Sequence, residues 1–152
     1  MSFVMHPQLH PLFIDYCAYF TLGDYFECHE VAEEYWKMLA PGDKEHALVG
    51  YIQLAAGLYH ERRGNTRGAQ KLLTSAERIL MNADDVFFTY VNREQLVATR
   101  NLPMSDELQS LVTTRVAELP KLDAHFIMHK HTLRDRSEVI AARQPKKALP
   151  TK

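Results

Sequence analysis

His29 and Glu33 stand four residues apart in the stretch Gly23–Lys37, GDYFECHEVAEEYWK. On a helix that spacing makes an imidazole and a carboxylate neighbours, able to pass a proton between them or share a metal ion. A second stretch, Gly50–Gly68, GYIQLAAGLYHERRGNTRG, carries Gln53 and His60 seven residues apart, two turns, so both point the same way. Facing each other, the two stretches would form a polar seam. Three chemistries are open to it. As a metal centre, His29, Glu33 and His60 would ligate Zn²⁺ or Fe²⁺, with Glu30 as the general base of a hydrolase and water in an open position. As a pocket, His29, Glu30, Glu33, Trp36, Gln53 and His60 would line a site for a small molecule or a partner. As a structural network, the same groups would fix which helices pair and in what register.

Spacing weighs against the familiar metal patterns. Di-iron bundles use Glu-x-x-His on paired helices, and no glutamate in this chain is followed three places later by histidine. The zincin pattern His-Glu-x-x-His is also missing, because Glu33 stands where its second histidine belongs. A separate candidate is the turn Arg62-Arg63-Gly64-Asn65-Thr66-Arg67. There Arg62, Arg63, Asn65 and Arg67 sit beside a helix N-terminus, whose free N–H groups attract anions. The alternative is that Arg62 and Arg63 complement the end of the preceding helix while Gly64 supplies a left-handed cap. Farther on, His125, His129 and His131 include an i, i+4 pair without an acid or thiol pattern beside it.

The elements that must position these residues are helical. Gly23-Asp24 is a stop followed by a start. From Asp24 the residues Tyr25, Cys28, Ala32, Tyr35, Trp36 and Leu39 fall on one apolar arc, with His29 and Glu33 on its edge and Glu27, Glu30 and Glu34 turned toward water. A third helix spans about Lys44 to Arg62, with Asp43 as its cap. Its face His46, Val49, Gly50, Gln53, Ala56, Gly57 and His60 contains two glycines, each costing roughly 1 kcal/mol relative to alanine. Such a face predicts that a helix or a bound group comes close to the backbone, in the direction of His29 and Glu33.

Three runs, YFECHEVAEEYWK, GYIQLAAGLYH and RGNTRGA, resemble the domain-of-unknown-function family 309. The pattern falls on Phe26, Glu27, His29, Glu30, Glu33 and Trp36, then on Gly50, Gln53, Ala55 and His60, then on Gly64, Asn65, Gly68 and Ala69. The resemblance covers about the first half of the chain. It implies a small all-helical domain of bacterial and archaeal type and brings no established activity.

The remaining chain completes an all-α antiparallel bundle of about five to seven helices, with the polar seam between helices two and three. Helix one, Leu12–Leu22, is apolar nearly all round, so it is either central or the surface of a homodimer. Helix four carries the stripe Ala69, Leu72, Leu73, Ala76, Ile79 and Leu80. Phe87, Phe88 and Tyr90 close one end of the bundle. A short helix opens at Asn92 and runs through Arg100. Another spans Asp106–Leu119 behind Ser105, and a last one spans Leu122–Ala142. Residues 1–142 read as one domain, and 143–152 as a disordered basic tail.

Composition bounds the rest. A net charge of −1 gives no overall field for nucleic acid, so the arginine turn alone makes a poor nucleic-acid interface. No apolar run approaches the roughly 20 residues that span a bilayer, and the N-terminus lacks a secretory pattern. Cys17 and Cys28 lie inside helical patterns, which predicts buried thiols and a cytoplasmic location. The expected role is a cytoplasmic binding or scaffold module with a structural His/Glu/Gln network. The alternative is the metal-dependent hydrolase.

Overall fold

The computed structural model describes residues 5–120. Six α-helices follow in order: α1 Pro11–Leu22, α2 Tyr25–Leu39, α3 Ala47–Arg62, α4 Thr66–Asn82, α5 Arg93–Thr99 and α6 Asp106–Glu118. Short 3-10 helices occupy Pro7–Leu9 and Val86–Phe88. The one isolated extended pairing among the described residues is an antiparallel bridge between Val91 and Met104. The chain is therefore an all-α bundle. The predicted helix Leu122–Ala142, the histidines His125, His129 and His131, and the tail 143–152 lie outside the described residues.

Turn chemistry sets the boundaries. Gly23, at φ 76°, closes α1, and the buried Asp24 opens α2 by accepting the Glu27 amide at 3.3 Å. Asn92 and Ser105 cap α5 and α6 in the same manner, through Gln95 and Leu108. At α3 the expected cap is corrected. Asp43 instead shapes the turn before the helix by accepting the Glu45 amide, and His46 is the N-cap, so α3 starts at Ala47.

Helix α3 is the axis of the bundle, packed against α2 and α4, and nine of its sixteen residues are buried. A Cβ on Gly50 would lie 2.7 Å from the Leu80 side chain, and one on Gly57 would lie 2.7 Å from that of Leu73. Contact moves forward seven residues on α3 while it moves back seven on α4, so the two helices run antiparallel. The close approach read from the glycines is real, but α4 makes it rather than the helix carrying His29. Helix α1 packs against both α2 and α6, with Phe13, Tyr16, Cys17, Ala18 and Phe20 buried. Leu12, Ile14, Tyr19 and Leu22 of the same helix stay partly exposed, so only part of its apolar circumference, the ground for expecting a homodimer, is covered within the described residues.

A polar interlock closes one end of the core. Gln8, fully buried, donates to the Phe87 carbonyl at 2.8 Å and accepts the Thr89 and Tyr90 amides at 2.9 and 2.8 Å. Tyr51 donates to the same Phe87 carbonyl at 2.7 Å, and Tyr16 donates to the Tyr51 carbonyl at 2.8 Å. Phe87 therefore lies within the core, against Phe13, Tyr35 and Tyr51.

Candidate functional site

Where the first turns of α2 meet the last turns of α3, Tyr25, Phe26, His29, Ala56, Tyr59 and His60 line a half-open cavity of about 190 Å³. The cap at Asp24 fixes the rotation of α2, placing Tyr25 and His29 one turn apart on the same face. Ala56 and His60 share that relation on α3. Three aromatic rings make the walls. Arg62 stacks on Tyr25 with its guanidinium carbon 4.5 Å from the ring centre, and Arg63 lies over Tyr59 at 5.4 Å. Burial raises the Tyr25 phenol above its ordinary range although Arg62 pulls the other way. The hydroxyl thus stays protonated at neutral pH and can donate.

His29 Nδ1 lies 3.2 Å from Glu30 Oε2. A carboxylate accepts, so Nδ1 is the donor, and when the ring is neutral Nε2 keeps its lone pair. The acid nearest in sequence, read as facing water, is thus the one that orients the ring, while Glu33 makes an ion pair with Lys37 at 3.8 Å. His29, Glu30 and Glu33 nonetheless offer ligand atoms within 4.8 Å of one another, the one group of this kind among the described residues. A Zn²⁺ ion at its usual bond lengths of about 2.0–2.2 Å would require these side chains to close further. His60 lies outside that group, although it shares the cavity with His29.

His60 is held from the third motif. Asn65 Oδ1 caps α4 by accepting the Gly68 amide at 3.1 Å, which turns its Nδ2 to His60 Nδ1 at 3.3 Å. Nδ1 must then accept, and the proton sits on Nε2. The two imidazoles therefore carry opposite tautomers. Gly68 is a glycine because a Cβ there would lie 2.7 Å from Asn65 Nδ2, and Gly64, at φ 89°, makes the turn.

The other candidates fall elsewhere. Arg62 donates to the Gly23 carbonyl at 2.7 Å, so it clamps the end of α1 to the end of α3. Arg67 is exposed on the first turn of α4. Trp36 donates to the Asp43 carbonyl at 3.0 Å and pins the α2–α3 turn, two turns from the cavity. Gln53 does not line the cavity, and its Oε1 is buried without a hydrogen-bond partner. The sequence reading missed the aromatic walls, Phe26 and Tyr59 above all. Their signal was present as an aromatic residue just before each histidine's turn, but an aromatic at helical spacing reads first as core.

The sequence profile of DUF309, a domain of unknown function, matches residues 13–72, a span that includes every residue of the cavity. The chain is also similar to the uncharacterized protein YpuF of Bacillus subtilis (strain 168). The two are 35% identical over 166 positions, covering 92% of this chain and 94% of the relative. No solved structure matches.

Proposed function

Because this chain belongs to the DUF309 family, a domain of unknown function, we propose its role from its own geometry: it is a binding module whose α2–α3 cavity accepts one small ring or one side chain of a partner. The cavity carries the reading, with aromatic walls and two imidazoles whose tautomers are set by Glu30 and Asn65. Its volume of about 190 Å³ is below the roughly 300–1,000 Å³ of pockets for drug-sized ligands. A single ring fits that size. His29 Nε2 offers an acceptor, so the ligand carries a donor such as a ring N–H or hydroxyl. Glu30 and Asn65 act as supports, and no bond need be broken. The test is a library of single-ring fragments observed by amide NMR. Binding in the cavity shifts residues of α2 and α3 around His29 and Ala56, whereas hits scattered over the surface, or none, argue against the reading.

A second reading rests on the carboxylates. His29, Glu30 and Glu33 would hold a divalent cation, Zn²⁺ or Fe²⁺, in a metal-dependent hydrolase. Glu30 then serves as a ligand and is not free to act as base. His60, protonated on Nε2, would hydrogen-bond the substrate rather than bind the ion. Titration calorimetry with Zn²⁺ separates the readings: one-to-one binding lost in Glu33→Gln supports the cation, and absence of heat opposes it.

A further inference from the structure

Among the described residues, three helical segments open on a histidine. His6 Nδ1 accepts the Gln8 amide, His10 Nδ1 the Leu12 amide and His46 Nδ1 the Leu48 amide, each at 3.0 Å. Helix caps are usually side-chain oxygens of Ser, Thr, Asn or Asp. A hydroxyl or amide oxygen keeps its lone pair across the physiological range, but an imidazole nitrogen does not.

The three rings gather at one end of the bundle. The His46 ring meets Phe87 edge-on at 5.5 Å, His10 stacks on Tyr35 at 4.5 Å, and His6 meets Tyr90 at 4.9 Å. His6 Nε2 also lies 3.2 Å from Thr89 Oγ1. Directly behind them is the Gln8 interlock, tied to α2 by the Tyr35 hydroxyl donating to the Pro7 carbonyl at 2.8 Å.

We propose that this end is a proton-sensitive latch: protonating the three capping imidazoles removes the acceptors of the Gln8, Leu12 and Leu48 amides and frees residues 6–10, with Gln8, from the 87–90 turn. An imidazolium has N–H at both nitrogens, so Nδ1 would point a donor at a donor. It also puts positive charge on the positive end of a helix dipole. Burial lowers the His46 pKa and outweighs Asp43 and Asp84, which favour the charged ring. His6 faces Thr89 and Tyr90, and His10 faces Tyr35. For His46 the sign follows directly. Between its lowered pKa and the ordinary value of about 6.5, the unfolded chain binds more protons than the folded one, so stability falls as pH drops through that window.

The test uses the full chain and its His6→Asn/His10→Asn/His46→Asn variant, since asparagine keeps an N-cap acceptor and does not titrate. Amide exchange is followed by NMR and corrected for its intrinsic pH dependence. Between about pH 7.5 and pH 5.5, protection at Gln8, Leu12 and Leu48 falls several-fold in the wild type and holds in the variant. Constant protection in the wild type, or an equal loss in both, overturns the latch. Should the triple variant not fold, imidazole ¹⁵N shifts of the wild type decide. An unprotonated Nδ1 on all three rings near pH 7.5 is expected, and a protonated Nδ1 on them overturns the proposal.

Discussion

Asn65 aims His60: one end of its amide caps α4 through the Gly68 N–H, and the other donates to His60 Nδ1 at 3.3 Å. The turn after α3 therefore sets the hydrogen-bonding face that α3 turns to the cavity. Asn65→Ala removes both bonds and should lower stability by about 0.5–2 kcal/mol, the usual cost of a lost N-cap. Asn65→Asp keeps the cap but replaces the donor with an acceptor, so the His60 proton moves to Nδ1. Imidazole ¹⁵N shifts report that exchange, and an unchanged tautomer in Asn65→Asp would show that Asn65 does not set it.

Gly50 and Gly57 separate propensity from packing. Helix propensity alone predicts that alanine at either position gains up to about 1 kcal/mol. A Cβ would, however, lie 2.7 Å from Leu80 or Leu73, and the Leu80 backbone nitrogen is 3.3 Å from the Gly50 position. Overpacking should win, and each substitution should cost about 1–3 kcal/mol. Urea unfolding measures the sign, and a gain at either site would mean that α3 and α4 sit farther apart.

Gln8 is the residue whose loss should be felt most widely. Gln8→Leu has similar bulk but removes the acceptor of the Thr89 and Tyr90 amides, which are part-buried. An unsatisfied group costs about 1–3 kcal/mol when buried, and water at the exposed Thr89 offsets part of that. The Phe87 carbonyl still receives Tyr51, so the loss falls on the 87–90 turn. A drop of about 1–3 kcal/mol is expected, with exchange accelerated first at Thr89 and Tyr90. Stability within about 0.5 kcal/mol of wild type, the range of an ordinary surface change, would contradict the interlock.

Cys17 and Cys28 are fully buried, and burial pushes both thiols well above their ordinary range. The native protein should resist thiol-specific reagents near pH 8 and react at both sites once unfolded. Because the folded pKa values are raised, the stabilisation they carry is intact below the unfolded thiol value of about 8.5 and is lost as pH climbs above it. Thermal unfolding should therefore move to lower temperature in alkaline buffer, with a shallower slope in Cys17→Ala/Cys28→Ala. Tyr16 and Tyr51, buried and shifted the same way, keep part of the slope.

Local chemistry made much of the fold legible in advance. Gly23-Asp24, Asn65, Asn92 and Ser105 mark helix ends within a residue or two because a cap acts on its own turn. The stripe on α4 was readable for the same reason: most of its members are buried against one neighbour, α3. Contacts distant in sequence left no such mark. Gln8 meets a turn about eighty residues away, and nothing near Gln8 announces it. His46 displaced Asp43 as a cap because an imidazole nitrogen can accept an amide as an oxygen does, which a count of customary caps overlooks. At the site, His29 shares the cavity with His60, but Glu33 and Trp36 of the expected face do not line it, and the carboxylate beside His29 is that of Glu30. The pair with Glu30 depends on side-chain rotamers that helical periodicity does not contain.

The most direct measurement compares fragment binding in the wild type and in Ala56→Phe by amide NMR. Ala56 is half-buried on the cavity wall, so a phenyl group there fills the space without entering the main core. The account predicts single-ring, donor-bearing fragments that perturb α2 and α3 in the wild type, lose binding in Ala56→Phe, and leave the fold of that variant intact. Fragments that bind both proteins equally would contradict it.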